Sequence, residues 1–94
     1  MNNKFAPLVS IVIPTYNHAK FISKALKSVI DQTYKNWEAI IIDNESVDET
    51  YKLISNFSDP RIKYFKISNE GVIAKSRNLG INEAKGDWIA FLDS

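Results

Sequence analysis

WEAIIIDNES, residues 37–46, decides the architecture of this 94-residue chain. Ile40, Ile41 and Ile42 follow one another, so a strand built from them carries apolar side chains on both faces. A strand of that kind belongs inside a parallel sheet covered by helices on both sides. The apolar run ends abruptly in Asp43, Asn44, Glu45 and Ser46. Ser46 and Glu49 have the S-x-x-E spacing of a capping box, which predicts a helix with Thr50, Leu53, Ile54 and Phe57 on its core face.

The same alternation recurs on either side. Upstream, residues 8–13 read as a buried strand stopped by Pro14, because proline cannot donate to a ladder. Phe21, Ile22, Ala25, Leu26, Val29 and Ile30 then recur at helical spacing, and Asn17 stands where an N-cap is expected. Downstream, Asp59-Pro60 turns the chain into a third strand over residues 61–67. A third helix is expected over residues 71–84, with Gly86 in its C-terminal cap region. Residues 88–92 form a fourth strand, and both Trp37 and Trp88 read as core or core-edge anchors. The order βαβαβαβ with right-handed crossovers predicts an α/β fold, a mainly parallel four-stranded sheet with alternating helices.

Composition narrows the function. The 45% of apolar residues is enough for one packed core, and 94 residues make at most one small domain. A net charge of +1, with Lys and Arg scattered, argues against a nucleic-acid partner. The absence of cysteine excludes disulfides and thiolate metal sites and fits a cytoplasmic location. His18 is the single histidine, so a metal would need oxygen ligands, which means a hard cation such as Mn²⁺ or Mg²⁺. No apolar run, residues 39–42 included, approaches the ~20 residues of a membrane span.

In open parallel sheets, ligands bind beyond the carboxyl ends of the strands. Here those ends lead into Pro14-Thr15-Tyr16-Asn17, Asp43-Asn44-Glu45-Ser46, Ser68-Asn69-Glu70-Gly71 and Asp93-Ser94, all polar and all on one rim. Such a rim suits a nucleotide. Asp43 or Asn44 would accept from the base, Asp93 from ribose hydroxyls, Tyr16 would form a wall, and Arg77 would supply positive charge for a diphosphate. A strand-end carboxylate repels phosphate directly but holds sugar hydroxyls or a divalent cation that grips the phosphates. Neither GxxxxGK[ST] nor GxGxxG is present, which argues against a P-loop protein and a dinucleotide-binding Rossmann domain. Structural alternatives stay open. Asp43 and Asp93 would also serve as caps of nearby backbone amides, Tyr16 as packing over the first helix, and Arg77 as an ion-pair partner of Glu70 or Glu83.

Four ordered segments, SIVIPTYN (10–17), SVIDQTYKNWEAIIIDNES (28–46), NEGVIAKSRNLGI (69–81) and GDWIAFLDS (86–94), resemble the family 2 glycosyltransferases. The resemblance implies a GT-A fold, of which this chain would be the Rossmann-like half. By it, Pro14, Thr15 and Tyr16 line a nucleotide-sugar pocket, Asp43-Asn44 contacts the base, and Arg77 reaches the nucleotide. Asn44 stands where the family often carries a second carboxylate, and Glu45 where a glycine is common. Asp93 would be the first aspartate of a D-x-D metal motif holding Mn²⁺ or Mg²⁺. The chain would then be a single partial domain, residues 1–94, cut within that motif and lacking the catalytic base. The implied reaction is inverting transfer of a sugar from a donor, UDP-linked in most such enzymes, to a saccharide or lipid-linked acceptor. The parent would be cytoplasmic or at the inner membrane face, and uncovered sheet would favour a homo-oligomer. The alternative is a nucleotide-binding module without catalysis. A receiver-like signalling domain fits less well, because it needs a lysine after a later strand.

Overall fold

The computed structural model describes residues 6–68 and 73–92. The elements are β1 (Val9–Thr15), α1 (Ala19–Asp31), β2 (Trp37–Asn44), α2 (Thr50–Ser55), β3 (Ile62–Ile67), α3 (Ile73–Glu83) and β4 (Trp88–Phe91). The strands form one sheet in the order β3-β2-β1-β4, and every neighbouring pair is parallel. The expected α/β architecture is therefore present, and β2 is buried along its whole length as its isoleucine run requires.

The sheet has two different faces. On one, Ile13, Trp37, Ala39 and Ile41 pack against Ile22, Leu26 and Val29 of α1 and Ile54 of α2. On the other, α3 lies so close that a Cβ added at Gly80 would stand 2.2 Å from Val12 Cγ1. That face also holds a buried polar cluster near the amino ends of the strands. Glu38 accepts from Ser10 Oγ (2.6 Å), Lys63 Nζ (2.7 Å) and the Lys85 amide (2.7 Å), while Ser10 Oγ accepts from the Gly86 amide (2.8 Å). Burial alone would raise the Glu38 carboxyl, but these donors outweigh it and hold the pKa below the ordinary carboxylate value. The cluster ties the turn before β4 to the centre of the sheet, and Asp87 adds a backbone bond to Leu8 O at 2.7 Å.

Four local expectations are corrected. β1 does not stop at Pro14 but continues to Thr15. Val12 O accepts from Leu92 N, so Val12 and, two residues on, Pro14 turn their backbone groups toward β4. The amide missing at Pro14 therefore removes nothing from the ladder with β2. The capping box of Ser46 and Glu49 does not form, and Glu49 at the N-cap makes no side-chain cap bond. Asp48 takes that role by accepting from Thr50 N (3.0 Å) and from the Thr50 hydroxyl. Asn17 is not the cap of α1; His18 holds that position without a side-chain bond, and Asn17 adopts φ 48°. Trp88 is 65% exposed rather than an anchor, because β4 is an edge strand whose four residues all face solvent.

Candidate functional site

The carboxyl ends of β1 and β2 meet in register, with Thr15 opposite Asp43 and Pro14 opposite Ile42. Register partners in a parallel pair point to the same face, so the Thr15 and Asp43 side chains lie side by side. Asp43 is 1% exposed. Its Oδ1 accepts from Ser46 N at 3.0 Å and its Oδ2 from the Tyr64 hydroxyl. Burial first, and then the bond to Asp43, push the Tyr64 phenol above its ordinary pKa, so it stays a neutral donor. A carboxylate offers about four acceptor positions, and two remain at Asp43 after these bonds.

Thr15 is also buried, and its hydroxyl has no hydrogen-bond partner among the described residues. A buried hydroxyl without a partner costs about 1–3 kcal/mol and usually marks the place of a water or a ligand group. Asn44 and Pro14 are buried on the neighbouring, opposite-facing positions of their strands. Tyr16, directly after β1, is 58% exposed and stands free at the rim. Arg77 lies half-buried on α3, its guanidinium carbon 5.5 Å from the centre of the Phe91 ring. Asp93, together with Asn69, Glu70 and Gly71, lies outside the described residues.

The loops after β1 and β2 are joined. Asn17 N donates to Ser46 Oγ at 2.8 Å, and Asn17 Oδ1 accepts from Val47 N at 2.7 Å and Asp48 N at 3.3 Å. Ala19 N donates to Asp48 Oδ2 at 3.2 Å. The peptide bends sharply at both loops, since Asn17 (φ 48°) and Glu45 (φ 53°) are the positive-φ non-glycine residues. Positive φ is tolerated by asparagine and unusual for glutamate. Sequence reasoning read Ser46 as a cap residue and as part of the rim, and it missed this bridge. It also missed Glu38 and Tyr64. A signal for Glu38 was available, since one carboxylate within a strand buried on both faces must find donors.

The crossover from β3 to β4 passes back over β2 and β1, so chain order reverses between β1 and β4. That is the switch point at which open α/β sheets bind ligands, and Thr15 and Tyr16 border it. Among the described residues, no group of three or more His, Cys, Asp or Glu side chains is arranged to hold a metal.

Residues 10–94 match the family described as Glycosyl transferase family 2. An uncharacterized glycosyltransferase of Rickettsia conorii is 49% identical over 87 residues, which cover 92% of this chain and 14% of that protein. The UDP-Glc:alpha-D-GlcNAc-diphosphoundecaprenol beta-1,3-glucosyltransferase WfgD of Escherichia coli is 44% identical over 87 residues, 93% of this chain and 34% of that protein. Among solved structures, S. aureus TarS 1-349 in complex with UDP-GlcNAc superposes with a TM-score of 0.84 at 28% identity, covering 90% of this chain and 26% of that one. The chain thus spans between about a seventh and a third of the length of these relatives.

Proposed function

This chain belongs to glycosyl transferase family 2, and from that premise we propose that its 94 residues are the donor-binding part of a GT-A enzyme that takes a nucleotide sugar. The observation that carries the reading is the Thr15 hydroxyl, buried without a partner beside the Asp43 carboxylate, at the switch-point rim. A hydroxyl and a carboxylate with free acceptor positions suit the N–H and hydroxyl groups of a nucleoside. Tyr16 would lie against the base or ribose, Pro14 would shape the floor, and Asn44 would offer both a donor and an acceptor. Arg77 would bring positive charge from the α3 side. UDP is the nucleotide proposed, in keeping with the donor in the name of WfgD and the ligand of TarS.

A divalent cation, Mn²⁺ or Mg²⁺, is proposed as the companion of the diphosphate, with Asp93 as its ligand from this chain. The donor set suits a hard cation, because the chain has no cysteine and one histidine. When bound, such a cation neutralises charge on the departing diphosphate. The acceptor is proposed to be a saccharide or a lipid-linked saccharide, and the reaction an inverting transfer. No helix among the described residues is long and apolar enough to cross a membrane. A cytoplasmic location remains part of the proposal.

Titration calorimetry with UDP, with and without Mn²⁺, tests the donor site. Binding in the micromolar to low millimolar range is expected, tighter with the cation. A flat titration at several millimolar UDP with Mn²⁺ would sink the proposal. Release of sugar from UDP-glucose or UDP-GlcNAc by the chain separates an active fragment from the second reading, a nucleotide-binding module without catalysis.

A further inference from the structure

Resting on the donor-site reading, we infer that Asn17 is a positioning residue that fastens the two rim loops into one unit and thereby aligns Tyr16 with Asp43. The chain leaves β1 at Thr15 and must turn within Tyr16, Asn17 and His18 to enter α1. Asn17 makes that turn at φ 48°, a conformation that asparagine adopts more readily than other side-chain-bearing residues. The turn leaves its amide and its side-chain carbonyl facing the loop after β2.

Both groups are used there. The amide donates to Ser46 Oγ (2.8 Å), and Oδ1 accepts from the Val47 and Asp48 amides (2.7 and 3.3 Å). Ser46 is the residue whose own amide is held by Asp43 Oδ1 at 3.0 Å. A continuous path of hydrogen bonds therefore runs from the Asp43 carboxylate through Ser46 to Asn17, the residue next to Tyr16. Asp48 closes the far side by accepting from the Ala19 amide at 3.2 Å while also binding Thr50. The loop after β2 has bonds of its own, from Glu45 N and Ser46 N to Asp43, so it offers the shorter loop after β1 a formed partner to fasten to. Preorganised binding groups raise affinity by lowering the ordering cost at the moment of binding.

Asn17→Gly separates this role from simple stability. Glycine accepts φ 48° without strain, so the turn survives while the acceptor for Val47 and Asp48 is lost. Asn17→Asp keeps an acceptor of the same shape. The experiment measures three quantities on the 94-residue chain: amide exchange at Val47 and Asp48, the melting temperature, and UDP affinity with Mn²⁺. For Asn17→Gly the expected result is faster exchange at both amides, a melting temperature lowered by only a few degrees, and UDP affinity reduced about tenfold. Asn17→Asp should restore the slow exchange and a large part of the affinity. Wild-type UDP affinity in Asn17→Gly overturns the positioning role and leaves the donor site standing. Affinity lost equally in both variants also overturns it, since the acceptor is then not what matters. If the wild-type chain itself binds no UDP, the donor reading fails first and the positioning role goes with it.

Discussion

Glu38 is an acidic side chain on an inner strand, 3% exposed and surrounded by donors from β1, β3 and the turn before β4. The charged group facing it is Lys63 on β3, while Lys85, before β4, donates its neutral backbone amide. Replacing it with glutamine keeps the shape and removes the charge, which should cost about 1–3 kcal/mol at pH 7 in urea denaturation. The pH dependence has a defined sign. The folded pKa lies below the unfolded one, so the stabilisation is complete above the unfolded value of about 4.3 and is lost as the pH falls through the folded value. Urea midpoints recorded from pH 7 down to pH 3 should therefore drop steeply for the wild type and more gently for Glu38→Gln. Parallel curves would mean that the carboxylate is not what holds the turn.

The elements themselves were legible from hydrophobic spacing, because strands and helices here are set by local periodicity. The isoleucine run of β2 and the repeated apolar positions of α1 required no long-range information. What local patterns could not show was partner choice across the fold. The Ser46 hydroxyl matches a capping box within its own segment, yet it is claimed by Asn17, 29 residues earlier. Pro14 looks like a strand stop until the side of the ladder it faces is known. Trp88 looks like core until β4 is placed at an edge. Of the candidate site, Thr15 and Asp43 end adjacent strands in register, whereas the bridge between the loops had no signature in either loop alone.

Element packing also explains Gly86, whose role is room rather than helix capping. An added Cβ would stand 2.5 Å from Ser10 Oγ, 2.7 Å from Leu8 O and 2.8 Å from Ser10 N. Two of these atoms belong to backbone at the start of β1 and cannot swing aside. Gly86→Ala should destabilise the fold by about 3 kcal/mol, read as a lower denaturation midpoint, with the fastest amide exchange appearing in β4. An alanine variant as stable as wild type would show that this contact relaxes at little cost.

At the scale of the molecule, β4 is an open edge carrying Trp88, Ile89 and Phe91, which are 65%, 41% and 44% exposed. Unpaired strand edges with apolar side chains favour pairing between chains. Sedimentation at increasing concentration should reveal self-association, and Ile89→Lys should weaken it by placing a charge on the edge. A single monomeric species for the wild type at several hundred micromolar would rule this out.

Strand order carries one more consequence, for synthesis rather than binding. β1 is made before both of its neighbours, yet it ends up between β2 and β4 and pairs Val9 with Trp88, far along the sequence. The nascent polypeptide can zip β1, β2 and β3 together as they emerge, but one flank of β1 must wait until β4 has been made. Pairings between residues this distant in sequence are slow to close. Of the four described strands, β4 is thus the one that completes their sheet beside the rim where Thr15 and Tyr16 stand.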